Sequence, residues 1–510
     1  MKNILKSSLI KGTLILTAAA IISKLFGFYY RIFLTRYIGS YGLGLITLTM
    51  PVYSIAFSLF MGGFNSCISH FTSAQGDKKD FRYLSTATLI TLPLSILFSI
   101  ICYSYSDRVA ERIILNPECS ALIKILCFQI PFSVLHNCIC GYYYGCQKTT
   151  VPAISQIIEQ MIRILSVIIY CRFTLSQGKN ISVTYALYGN IVGEISACLY
   201  CICAQLITHK KENKKPLRPH IKDLPVIIKY TIPLNLNSLL IHLLESGESI
   251  LVPAQLIIYG MDRTEALSLF GVLTGMAMPL IMFPTAITNS LSVMLLPKVS
   301  NEQGQNDTKK ISSTINKTVK LCAHLGIMCS LLFLVYASKL GSIIFEDDRV
   351  CTFTTMLSLL CPFLYLKVNL TSILNGLSKT GSTCTASVIG QIIRISCLIG
   401  LVPRIGLDGY IYGIIVSNII VCVILFMKLK FTVDFKISLS DSLIIPVSLS
   451  VISVISSKII TDAGYTLISS FMTIPYQSTS RLVLGGIIAT VIYGVFYIFF
   501  IKKDENKKPA

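Results

Sequence analysis

Residues 12–34 read GTLILTAAAIISKLFGFYYRIFL. At a helical rise of 1.5 Å per residue this run extends about 34 Å, enough to cross a hydrocarbon core of roughly 30 Å. It follows Lys2, Lys6 and Lys11 and carries small residues at Ala18 and Ala20, which is the outline of a secretory signal. The apolar run continues past Ala20 to Leu34, however, longer than a cleaved signal needs. It reads as a first membrane-spanning helix with two cations inside it, Lys24 and Arg31.

The pattern recurs along the chain. Apolar stretches fall near residues 42–70, 84–106, 121–146, 151–171, 184–208, 227–258, 265–296, 319–345, 350–376, 382–402, 407–427, 442–460 and 482–501, making fourteen with the first. Over all 510 residues 53% are hydrophobic and 13% charged, where a soluble domain carries about 25% charged residues. Barrel strands would alternate in polarity, and these runs are continuous, so helices are the expected spanning form. The fold expected is an all-α polytopic membrane protein with 14 transmembrane helices. The 18 cysteines lie mostly inside apolar runs, such as Cys198, Cys201, Cys203 and Cys422, and read as small hydrophobes. Trp is absent, so Tyr and Phe must supply the interfacial belt.

The net charge of +20 could mark a nucleic-acid surface or a topology signal. With the N-terminus in the cytoplasm, Lys78-Lys79-Arg82, Lys210-Lys211-Lys214-Lys215, Lys309-Lys310 and Lys502-Lys503-Lys507-Lys508 all fall on the cytoplasmic side. That is the positive-inside bias. Both termini are expected in the cytoplasm, with no nucleic-acid partner.

The chain also repeats itself. A shift of 228 places Met50-Pro51 on Met278-Pro279 and Gln75-Gly76 on Gln303-Gly304. A shift of 231 places Gly145, Lys148-Thr149 and Gln160 to Arg163 on Gly376, Lys379-Thr380 and Gln391 to Arg394, and a shift of 224 places Tyr188-Gly189 on Tyr412-Gly413. Two six-helix bundles, 1–208 and 227–430, are therefore expected as parallel repeats, with a binding site between the halves. A basic linker, 209–226, with Pro216 and Pro219 joins them, and 431–510 adds two helices and a basic tail. The connections are too short for a soluble catalytic domain, and neither GxxxxGK[ST] nor HExxH occurs. A carrier is expected rather than an enzyme, with no cofactor beyond coupling to protons or sodium.

Ionisable groups at bilayer depth are costly and are functional candidates by default. Lys24 and Arg31 stand two turns apart on one helix face. Asn235, Ser238, His242, Glu245 and Ser249 draw a polar stripe down span 7, with Glu248 beside it. The repeat sets the two cations of span 1 across from Glu245 and Glu248, which are expected to couple an ion or merely to neutralise those cations. Glu159 and Arg163 can pair within span 5. Arg394, the repeat equivalent of Arg163, has Gly390 where the acid should be and is the better anion-binding candidate. Lys124 and Lys229 read as snorkelling side chains near span ends. The binding set is Lys24, Arg31, Arg163, Arg394, Asn235 and His242. Such a cationic excess suits phosphate oxygens, hence a phospholipid-linked headgroup.

Several stretches carry a family resemblance: Ser23-Lys24-Leu-Phe-Gly27-Phe-Tyr-Tyr-Arg31, Gly39-Ser-Tyr-Gly42-Leu-Gly44, Met50-Pro51-Val-Tyr53, and the run from Gly141 to Arg163. Over about residues 8–500 the chain resembles the stage V sporulation protein B group. That group sits in the polysaccharide-exporter branch of the multidrug/oligosaccharidyl-lipid/polysaccharide superfamily, whose fold is MATE-like. The resemblance implies a flippase for undecaprenyl-diphosphate-linked glycan, of the lipid II peptidoglycan-precursor type used in spore cortex or cell-wall synthesis. Membrane lipids and cell-wall synthases are the implied partners. Related lipid II flippases carry a Ser-Arg-x-x-Gly-x-x-Arg pattern on span 1; Lys24 and Gly27 match it in order, and Arg31 falls one position late. Their Glu-Gly-Ala-Phe element of span 2 is here only Gly62-Gly63-Phe64.

Two other readings compete. A proton- or sodium-coupled multidrug antiporter of the same superfamily would need an acid-dominated cavity, favoured by Glu245 and Glu248 and opposed by Lys24, Arg31 and Arg394. A membrane-embedded glycan polymerase or ligase would need a large external loop, and the longest, near 461–481, has one acid, Asp462, and no His.

Overall fold

The structure, a computed structural model, describes residues 2–75, 80–211, 219–469 and 477–505, and the regular structure among them is entirely helical. The principal helices are α1 (Lys2–Phe60), α2 (Gly62–Ala74), α3 (Arg82–Ser104), α4 (Cys119–Gly145), α5 (Thr150–Ser176), α6 (Thr184–Lys211), α7 (Leu224–Tyr259) and α8 (Arg263–Val272). They continue as α9 (Thr285–Gly304), α10 (Thr308–Phe345), α11 (Arg349–Leu357), α12 (Cys361–Gly376), α13 (Thr380–Ile405), α14 (Leu407–Thr432), α15 (Ile445–Ser469) and α16 (Gln477–Glu505). Lys78, Lys79, Lys214, Lys215, Pro216, Lys507 and Lys508 lie outside the described residues.

Among the described residues, thirteen helical stretches are long and apolar enough to cross a membrane. The expected fourteen is not what length and apolarity return, because expected spans 1 and 2 fall in one stretch, Ile15–Ala74. Its 60 residues would extend about 90 Å as a straight helix, three times the hydrocarbon thickness. Gly39, at φ 67° and ψ −176°, leaves helical geometry inside α1. A residue with a Cβ is strained there, which accounts for glycine at the break. The expected span 265–296 is shorter than its apolar run suggests. It passes through a π-helical turn, Leu273–Ala277, and the candidate span ends at Met282, ahead of Pro284 and α9. Proline cannot donate the backbone hydrogen bond that would continue the helix.

The chain divides into two compact units, Met1–Gly275 with Leu398–Leu407, and Met276–Cys397 with Asp408–Ala510. In the first, α1 packs on α5, α7 and α8, and α4 packs on α2, α3 and α6. Its core holds Phe81, Ile130, Tyr142 and Tyr143, all fully buried. Lipid offers apolar surface as readily as a neighbouring helix does, so close backbone approach at small residues decides which helices meet. A Cβ on Gly141 would lie 2.9 Å from the Asn65 carbonyl oxygen, and one on Gly145 2.7 Å from that of Ser69, so α4 rides directly on α2.

In the second unit the same device joins α12 to α9, where a Cβ on Gly376 would stand 2.9 Å from the Leu296 carbonyl oxygen. Gly376 is Gly145 shifted by 231. The turns that follow these two glycines are alike as well. Gln147 and Ser378 both adopt φ 58° without being glycine. The Gln147 and Lys148 amides donate to Tyr144 and Tyr143 at 3.0 Å each, and those of Ser378 and Lys379 to Asn375 and Leu374 at 3.0 and 2.9 Å. These are left-handed helix caps. In this second unit α15 and α16 dock on α10 through Tyr336 to Ser457 at 2.9 Å and His324 to Tyr493 at 2.6 Å.

Candidate functional site

The cationic face of α1 is set by what happens to its neighbour α8. Ser40 and Ser268 hydroxyls meet at 2.6 Å. A Cβ on Gly44 would lie 2.4 Å from the Leu267 carbonyl oxygen, so the two helices are in backbone contact. One turn further on, α8 slips into the π-helical turn, whose changed register frees carbonyl groups that lipid cannot satisfy. Arg31 Nη1 donates to the Thr274 carbonyl there at 3.2 Å. The Arg31 side chain is otherwise exposed and Lys24, two turns away, is half-buried. Arg31 thus mends a helix break while presenting a guanidinium at the surface of the first unit.

Asn235 does similar work at a second break. Its Nδ2 donates to the Leu59 carbonyl at 2.8 Å, and its Oδ1 accepts from the Gly63 amide at 3.0 Å, across the interruption between α1 and α2. Two turns on, His242 Nδ1 lies 3.0 Å from Glu245 Oε2, and Phe57 meets the imidazole edge-on at 6.2 Å. The expected stripe on α7 does not put both acids in one environment. Glu245 is exposed and Glu248, one turn on, is 4% exposed. Of the candidate spans, Ile221–Tyr259 buries the smallest share of its apolar window, 11%. What it exposes is mainly apolar, Leu236, Leu240 and Leu243 among them, while Asn235, Ser238 and His242 are half-buried.

A second polar cluster lies among α4, α5 and α6. Arg163 Nη2 pairs with Glu159 along α5, as the spacing predicts, and Nη1 reaches Gln160 Oε1 at 3.4 Å. Beside them His136 Nδ1 is 2.8 Å from Glu194 Oε1, and its Nε2 is 3.0 Å from Ser155 Oγ. The sequence pattern marks the Glu159–Arg163 pair of this cluster and passes over His136, Cys140 and Ser155. The available signal was spacing: His136 and Cys140 are one turn apart, and Glu194 and Cys201 two turns apart on α6. Two sets of donor atoms come within 4.8 Å of one another here: His136, Cys140 and Cys201, and His136, Glu159 and Glu194.

Arg394 belongs to the second unit, where its Nε donates to Ser417 Oγ on α14 at 3.3 Å. The structure therefore gathers Lys24, Arg31, Asn235, His242, Glu245, Glu248 and Arg163 in the first unit and leaves Arg394 in the second. Lys124 pairs with Asp107 at 3.1 Å at the end of its span.

Comparison with known proteins agrees with this architecture. Residues 9–302 match the family described as Polysaccharide biosynthesis protein, and residues 243–399 match the family described as MatE. Stage V sporulation protein B of Bacillus subtilis (strain 168) is 24% identical over 99% of this chain and 98% of its own length. Lipid II flippase MurJ of the same organism is 20% identical over 80% of each chain. A solved structure of lipid II flippase MurJ, in an inward closed conformation, superimposes with a TM-score of 0.72 at 17% identity, covering 96% of this chain and 100% of that one. With more than half its length matched, the chain belongs to the polysaccharide biosynthesis protein family, a membrane-transporter family of the MOP flippase superfamily.

Proposed function

We propose that this protein is a flippase that turns an undecaprenyl-diphosphate-linked glycan, of the lipid II type, across the bacterial cell membrane by alternating access. The observation that carries the reading is the cationic face of α1, where Arg31 is exposed yet tethered to Thr274 and Lys24 follows two turns away. A guanidinium held by one arm at a helix break is oriented in advance to give charge-assisted, bidentate bonds to phosphate. The names of the relatives support the substrate class. The exposed Glu245 and buried Glu248 are proposed as the ion-coupling pair, with Arg394, Arg163, Asn235 and His242 supporting binding.

In this reading twelve of fourteen helices form two six-helix repeats, 1–208 and 227–430. The shared turns at Gln147 and Ser378 support that division. Both termini lie in the cytoplasm, and cell-wall synthases consume the product.

A second reading, a cation-coupled multidrug antiporter, draws on the exposed Glu245 and on the MatE match, which begins at residue 243. The deciding experiment reconstitutes the purified protein in vesicles with fluorescent lipid II. Lys24→Gln with Arg31→Gln should lower translocation at least tenfold with normal insertion. Unchanged flipping in the double variant, together with Glu245-dependent ethidium export, would favour the antiporter.

A further inference from the structure

We propose that His136, Cys140 and Cys201 form a binding site for a thiophilic divalent transition metal of the zinc class, buried inside the first unit and separate from the cationic face of α1. A ring nitrogen of His136 and the two Sγ atoms lie within 4.8 Å of one another. Four-coordinate zinc, with Zn–S near 2.3 Å and Zn–N near 2.0 Å, needs its ligand atoms about 3.6–3.8 Å apart. No pair of ligand atoms therefore has to close by much more than about an ångström, within reach of small χ adjustments.

The orientation of the imidazole is the second observation. Histidines that bind metal through one nitrogen nearly always hold the other on a carboxylate or carbonyl, which sets the tautomer and raises ligand basicity. Here Nδ1 is 2.8 Å from Glu194 Oε1, and Nε2 points to Ser155 Oγ, at 3.0 Å, which is in turn 3.9 Å from Cys140 Sγ. Glu194 is the positioning residue, and Nε2 is the ligand atom. Ser155 or a water completes the fourth position.

Thiolate ligands favour a soft metal over a hard one. Two thiolates and one divalent ion sum to zero, which lowers the cost of placing the site in a low-dielectric interior. Metal binding releases the two thiol protons to solvent. The alternative set of His136, Glu159 and Glu194 shares Glu159 with the Arg163 guanidinium, which competes with any cation. His136 and Cys140 sit on α4, Cys201 on α6, and Ser155 on α5, so the bound ion would fasten three helices of one unit.

The test uses the full chain in detergent micelles, stripped with chelator under reducing conditions and titrated with Co²⁺, then Zn²⁺. One equivalent of Co²⁺ should bind with a near-ultraviolet thiolate charge-transfer band and visible bands of four-coordinate cobalt, and Zn²⁺ should displace it. Cys140→Ser with Cys201→Ser should remove the charge-transfer band, and His136→Gln should weaken binding at least 100-fold. Cys102→Ser with Cys127→Ser should change neither. X-ray absorption of the zinc-loaded wild-type protein needs no variant and should show two sulfur scatterers at about 2.3 Å. Absence of a saturable band, its survival in the Cys140/Cys201 double variant, a shell without sulfur, or a Cys140–Cys201 disulfide that excludes metal would each overturn the proposal.

Discussion

His136 on α4 and Glu194 on α6 meet at 2.8 Å, with 13% and 7% of their side chains exposed. A pair this deep holds two helices together only while both members are present, since removing one leaves the other desolvated and uncompensated.

Glu194→Ala should therefore cost about 3 kcal/mol, read as a lowered apparent melting temperature in detergent. Adding His136→Ala should recover part of that loss, and the double-mutant cycle should give a favourable coupling. Simple additivity of the two losses would show that the groups do not interact.

Glycines give a contrast of sign. A Cβ on Gly189 would lie 2.2 Å from Val167 Cγ2 and 3.2 Å from the Arg163 carbonyl, whereas one on Gly247 would meet nothing within 4 Å. Gly189→Ala should destabilise by about 1–3 kcal/mol through overpacking. Gly247→Ala should be stabilising by up to about 1 kcal/mol through helix propensity. Gly413, whose added Cβ would be 2.8 Å from Cys397 Cβ and 3.6 Å from the Arg394 carbonyl, should behave like Gly189. Equal effects at Gly189 and Gly247 in a thermal-stability series would contradict the packing described.

Asn235 is expected to act on stability before transport. Asn235→Ala removes both mends at the α1–α2 break and should cost about 2 kcal/mol. Asn235→Asp keeps the acceptor for the Gly63 amide and loses the donor to Leu59, so its loss should be intermediate only if the carboxylate is tolerated there. Normal stability with a raised substrate requirement for Asn235→Ala would instead mark a direct substrate contact.

Outside the spans, hydrogen bonds from Ser120 and Lys124 hold the Asp107 carboxyl below its ordinary value of 3.8. A depressed carboxylate favours the folded state above its unfolded pKa, and that contribution is lost as pH falls through the folded one. The melting-temperature difference between wild type and Asp107→Asn should be positive at neutral pH and shrink below pH 3.8. A difference that grows on acidification has the wrong sign for this pairing.

The recurrence of the 145–149 segment at 376–380 was legible in the sequence, and it reappears as the same left-handed turn at Gln147 and Ser378. The intrahelical Glu159–Arg163 pair was legible too, because an i, i+4 spacing specifies contact on any helix. The site on α4 and α6 was not. His136 and Glu194 are 58 residues apart, and nothing in either segment says which faces will meet.

Composition and continuous apolar runs by themselves determined that the chain is helical and membrane-spanning, because lipid cannot satisfy backbone polar groups and only helices satisfy their own. The tertiary structure alone decided where those helices break and what mends them. Arg31 at Thr274 and Asn235 at Leu59 and Gly63 are contacts across 243, 176 and 172 residues. Glycine contacts choose which helix faces lie together, since apolarity does not distinguish a neighbouring helix from lipid.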